Sequence, residues 1–257
     1  MLPRVVVLSL LAFAPLTRPP GPREIVRETE RAIASGDTAA LASQFRRALA
    51  RDSLDARALF ARATLERLSY HYLDASRDYD RFRAYPASIG GRFRAFAALG
   101  QAEMLFIAAR EAEAAAASGA ALQLARATSD SSAQVLALVN LGIIRLRKSP
   151  SELALATFDS AARALPANDP ELRARIACGR ASVFARLARE EAVSQARAGA
   201  LLARRAGAWR VVANCLHVEA SGYERLGRPY AADRLLDTAA TLARRLGDGI
   251  GVGQRQQ

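Results

Sequence analysis

From Ile25 onward, the apolar positions of this 257-residue chain fall at helical spacing in short segments divided by turn residues. Ile25, Val26, Ala32 and Ile33 mark a first helix to Ser35. Gly36-Asp37 then turns the chain, and Thr38 to Arg51 supplies its partner. Ala56 to Ser69 and Tyr72 to Ala84 form a second pair, stopped at Tyr85-Pro86, where the residue before proline disfavours helix. Arg92 to Ala108 and Arg110 to Ala127 form the third, with no strong stop between them. Short connections of this kind join antiparallel neighbours.

The later pairs are better punctuated. Ser131 to Leu146 is followed by Ser149-Pro150-Ser151-Glu152, which predicts an N-cap serine, a proline at the first helical position and a capping-box glutamate. That helix ends near Leu165-Pro166, and Asp169-Pro170-Glu171 opens the next with Asp169 as cap. The fifth pair runs to about Leu187 and from Arg189 to Ala206; the sixth covers Trp209 to Leu226 and Pro229 to Leu246. The second helices end alike, in Leu124-Ala125-Arg126, Leu202-Ala203-Arg204 and Leu242-Ala243-Arg244, with a weaker copy at Ala162-Arg163. Arg126, Arg163, Arg204 and Arg244 stand 37, 41 and 40 residues apart. A fixed period in this range marks a stack of helical hairpins. The expected fold is therefore all-α, a right-handed α-solenoid of about six antiparallel hairpins over residues 24–248.

In Leu226-Gly227-Arg228-Pro229-Tyr230-Ala231-Ala232, glycine suits the left-handed C′ position, proline restarts a helix, and Ala232 allows close crossing. This spacing resembles the signature of tetratricopeptide-type repeats. The Leu-Ala-Arg-x-x-Gly-Asp ending and the period near 40 resemble the longer variant found in large bacterial regulators and in arrays attached to signalling or protease domains. The resemblance covers roughly residues 24 to 248 and implies a binding function. Leu68-Ser69-Tyr70 departs from it, having no glycine after the leucine.

Composition agrees with helices: alanine dominates and aromatics are 6%. The net charge of +12 suggests an anionic partner, yet it is almost pure arginine, with Lys148 the only lysine, and is interleaved with acids. No RNA-sheet aromatics, zinc-finger spacing or continuous basic helix occurs, which argues against nucleic acid. Residues 1–23 read as a signal peptide or a retained disordered leader. Arg4 precedes the apolar run Val5 to Ala14, too short for a stable membrane span, and a break at Pro19-Pro20-Gly21-Pro22 follows. Export would make the protein periplasmic or extracellular; a retained leader leaves it cytoplasmic. Residues 249–257 read as a flexible Gly/Gln tail. Its Gly-x-Gly-x-Gly lacks the strand and helix of a nucleotide loop.

The search for chemistry returns no catalytic set, metal site or cofactor motif. His71, between Tyr70 and Tyr72, reads as part of a surface aromatic cluster, and His217 stands several units away. Asp74 and Asp78 share a helix face with Arg77 and Arg81 interleaved, which reads as a salt-laced outer surface. Cys178 and Cys215 read first as small buried side chains. In an exported protein they become a disulfide between units if their Cα atoms come within about 7 Å. Trp209 is expected to seal the junction of the fifth and sixth units. For a partner, the first helices line the concave face of such a superhelix. Aligning them on the turn-proximal leucines Leu146, Leu187 and Leu226 places Gln134, Arg175 and Asn214 at matching positions. These are the candidate groove residues, suited to a peptide backbone or acidic side chain. The expected function is a non-enzymatic protein- or peptide-binding scaffold or sensor. The alternative is the regulatory repeat region of a larger signalling enzyme or transcriptional regulator.

Overall fold

The computed structural model of the chain describes residues 19–85 and 87–246. The expectations for the Val5–Ala14 segment and for the glycine tail lie outside these residues. Among the described residues twelve helices follow one another: α1 Pro22–Ser35, α2 Thr38–Arg51, α3 Ala56–Leu68, α4 Tyr72–Ala84, α5 Ala87–Ile107 and α6 Glu111–Ala127. Then come α7 Ser131–Lys148, α8 Ser151–Arg163, α9 Pro170–Arg186, α10 Glu191–Arg205, α11 Trp209–Arg225 and α12 Pro229–Arg245. No strand occurs among the described residues. Each helix packs on the next in sequence, and each odd helix also packs on the following odd helix. The odd helices form one continuous layer, the even helices back it, and the whole is an all-α solenoid.

Local chemistry explains the boundaries. Asp55, Asp130 and Asp169 cap α3, α7 and α9, accepting from Ala58 N at 3.0 Å, Ala133 N at 3.1 Å and Leu172 N at 3.0 Å. Three expected starts move. The first helix begins at Pro22, not Ile25, because Gly21 N donates to Glu24 Oε2 at 2.5 Å and proline fits the first turn. The fifth begins at Ala87, not Arg92, running through Gly90 and Gly91. The eighth has Pro150, not Ser149, at its N-cap, with no side-chain cap.

The turns keep the left-handed residue whether or not it is glycine. Gly207 and Gly227 adopt φ 67° and 74°, but Tyr70, Ala109, Ser129 and Ala188 take the same conformation. The unit that departs from the repeat signature in sequence therefore conserves its geometry. In the recurring Leu-Ala-Arg ending it is the alanine that packs. Ala125, Ala203 and Ala243 are buried, while Arg126, Arg204 and Arg244 are exposed.

The core changes character along the stack. Phe60 meets Phe93 at 5.4 Å and Phe82 at 6.3 Å in an aromatic cluster among α3, α4 and α5. Further on, small residues let the helices approach. Phe158 of α8 is fully buried, and a Cβ on Gly142 or Gly179 would stand 2.7 or 2.6 Å from its Cζ. Cys178 of α9 and Cys215 of α11 are disulfide-bonded, with Cα atoms 5.3 Å apart. Both are buried, as the first reading had it, and they are joined, as the second allowed: adjacent odd helices bring the two residues together, and Gly199 of α10 leaves room for both sulfurs. Trp209 does not seal a junction either. It is 48% exposed at the start of α11.

Candidate functional site

The odd helices curve around α1. Through Ile25, Val26 and Ile33, α1 joins the same apolar cluster as Phe60 of α3 and Phe96 of α5. Its other face carries Arg23, Arg27 and Glu30, spaced i, i+4, i+7 and so aligned. Arg23 Nη1 donates to Ser132 Oγ of α7 at 3.2 Å and to the Asp169 carboxylate, and its Nη2 reaches Glu171 Oε2 of α9 at 2.9 Å. Arg27 Nη2 donates to the same Glu171 oxygen at 2.6 Å. Glu30 lies 3.6 Å from Arg210 of α11. One helix thus meets α3, α5, α7, α9 and α11, which is geometrically available only inside a curved layer.

Counting from the N-caps shows why. Ser132, Glu171 and Arg210 each stand two residues after the cap of their helix, and these positions ring the polar face of α1. Six residues after the cap come Leu136, Arg175 and Asn214. Arg175 and Asn214 therefore align, as the leucine register had it. Gln134 falls two residues out of step because α7 runs on to Lys148, leaving Leu146 inside the helix. Arg175 is half-buried, donating to Glu171 Oε1 through Nη2 at 3.1 Å and Nε at 3.2 Å. Asn214 is exposed and Gln134 half-buried. Leu136, Asn140 and Arg175 line a residual cavity of about 100 Å³ between α1 and the odd helices.

Glu171 is the centre of this cluster. Burial pushes its carboxyl up, but Arg175, Arg27 and Arg23 overcome that and hold it at about 2. Asp169 is likewise held low: burial raises it, and Arg23 together with the Leu172 amide outweigh burial. Burial raises Glu30, offset only in part by Arg175 and Arg210. At the N-terminal ends of the odd helices the groove opens into a cleft of about 640 Å³, lined by Pro19 to Arg23, Arg57, Arg92 and Asp130. This ion cluster could not be read from sequence, since Arg23 and Glu171 lie 148 residues apart. The signal available was the i, i+4, i+7 charge pattern on α1.

The other singled-out residues separate. His71 and His217 are both exposed, on α4's N-cap and in α11. Tyr70 and Tyr72 do meet edge-on at 5.8 Å. Asp74 pairs with Arg77 at 3.2 Å on the surface. Asp78 departs from the outer-face reading: it is buried and gripped by Arg62 Nε at 2.5 Å and Nη2 at 2.6 Å. Among the described residues no cluster of three or more His, Cys, Asp and Glu is placed to hold a metal ion. No described helix is long and apolar enough to cross a membrane.

A curved inner layer of first helices, backed by second helices at a 39-residue cap-to-cap interval (Asp130 to Asp169 to Ala208), defines a helical-repeat solenoid. Two solved structures share it. The apo form of the quorum sensor NprR from B. thuringiensis is 15% identical with a TM-score of 0.59, over 87% of this chain and 65% of that one. BtubC from P. vanneervenii is 16% identical with a TM-score of 0.55, over 84% of this chain and 91% of that one. The chain thus spans about two-thirds of the quorum sensor's length. No family model matches the sequence, and none of the curated proteins does.

Proposed function

We propose that the protein is a non-enzymatic scaffold or sensor that binds a peptide segment of another protein in the groove of its odd helices. The observation that carries this reading is the seating of α1 in that groove: the surface already holds a helix through charge pairs to the buried Glu171 and an apolar floor. Arg175 and Asn214, aligned on successive helices, extend the same polar row. The quorum sensor among the structural neighbours is consistent with a sensor role.

Selection of a displayed peptide library on the intact chain tests the proposal. Selected peptides should lose at least about tenfold in affinity on Arg175→Ala or Asn214→Ala, a loss of about 1.4 kcal/mol. Equal affinities for all variants would place binding elsewhere, and a library with no binder would remove the reading. The regulatory region of a larger regulator remains the second reading, favoured by the part of the quorum sensor that the match leaves uncovered. The Cys178–Cys215 bond further supports an oxidising compartment for the protein.

A further inference from the structure

The α1 helix, like α2 and α12, buries few residues. Its buried residues are Pro22, Ile25 and Thr29 alone, whereas α9 buries ten. Its connection to α2 is a turn through Gly36 at φ 81°, a conformation that glycine alone adopts without strain. Elements with few buried contacts open locally at low cost, well before the body of a protein unfolds. Yet the face that α1 covers cannot be left bare cheaply. Glu171 is 8% exposed and Asp169 caps α9 at the same place. Without α1, Glu171 keeps Arg175 as its ion-pair partner among the described residues, and it shares its cavity with Phe60, Phe96 and Leu136.

We propose, resting on the scaffold reading above, that this groove is the docking site for an amphipathic helix of a partner protein bearing two arginines one turn apart, and that α1 keeps it closed by occupying it in the partner's stead. The required chemistry is read from α1 itself. Two guanidiniums at i and i+4 meet Asp169 and Glu171, apolar residues between them meet the floor, and an acid at i+7 meets Arg210. Arginine is specified over lysine because Arg23 forks between two carboxylates and Ser132, using several donors of one planar group. The partner, not a second copy, is the occupant: the short turn at Gly36-Asp37 holds α1 beside its own body, so its effective concentration exceeds that of any other copy. An external helix then competes with α1 and gains the groove when it offers more apolar surface.

A fluorescein-labelled synthetic peptide of residues 20–37 is the probe, titrated into the full chain. The Arg23→Ala/Arg27→Ala variant should bind it at least about tenfold more tightly than the wild type, because its own α1 competes poorly. Adding Glu171→Ala should remove that binding, and so should replacing both arginines of the peptide by alanine. If the double variant fails to retain its helical circular dichroism, wild-type hydrogen exchange decides. Saturating peptide should speed exchange of the amides of residues 22–35 and leave α9 to α12 protected. Equal affinity in the two forms, unchanged exchange of α1 with peptide bound, or a dimer exchanging α1 in light scattering would each overturn the proposal. Library peptides that bind both forms alike would sink this proposal and spare the scaffold reading. Absence of any binder to either form would sink both.

Discussion

Replacing Gly179 by alanine should destabilise the solenoid although alanine is the better helix former. In an open helix interior the change gains about 1 kcal/mol. Here the added Cβ would lie 2.6 Å from Phe158 Cζ and 2.8 Å from its Cδ1, where ordinary contact begins near 3.4 Å. The ring must therefore move by close to an ångström. It is fully buried, and α7 approaches the same ring edge at Gly142, where a Cβ would be 2.7 Å from Cε1 and Cζ. Overpacking of this kind costs about 1–3 kcal/mol, and expelling the ring costs about 3–5 kcal/mol. After the propensity gain, a net loss of about 2 kcal/mol is expected, or a fall in thermal midpoint of about 4–8 °C. Urea unfolding followed by circular dichroism measures it. In a Gly179→Ala/Phe158→Leu double variant the two losses should fail to add, by about 1 kcal/mol or more, because the smaller side chain makes room for the methyl. A Gly179→Ala variant as stable as the parent, or additive losses in the double variant, would refute the steric account.

Three further outcomes follow from named contacts. Reducing the Cys178–Cys215 bond, which closes a loop of 37 residues, should cost about 4 kcal/mol on the chain-entropy estimate, with faster hydrogen exchange confined to α9–α12. Burial, with Asp78 nearby and Arg62 only partly compensating, raises the Glu66 carboxyl to about 7. Its folded value thus exceeds the unfolded one near 4.5, so its contribution to stability is full below pH 4.5 and is lost as the pH rises through 7. Glu66→Gln should then gain about 1–2 kcal/mol relative to the parent at pH 8 over its value at pH 5, solvent screening included, in parallel urea titrations at the two pH values. Ala188, at φ 51°, should accept glycine with a gain of about 0.5–1 kcal/mol, since relief of left-handed strain exceeds the added entropy of the unfolded chain; thermal melts read it directly.

The helices, their order and their pairing were legible from the sequence because they depend on local chemistry. Apolar spacing, the caps at Asp169 and Pro170, the stop at Tyr85-Pro86 and the glycine at 227 each act within a few residues. The repeat period fixed the architecture, since units of equal length can bury their faces only against one another. Errors arose where local signals were weak or compete: helical glycines ahead of Arg92, a cap placed one residue early at Ser149, a register taken from Leu146. Only the tertiary structure decided what depends on curvature. It brought Arg23 to Glu171, joined Cys178 to Cys215, and placed Gly142 and Gly179 against one ring. Small rotations between successive hairpins accumulate along a solenoid, so contacts across several units depend on every packing interface between them. Local sequence holds no record of that sum, and it is this sum that wraps five helices around α1.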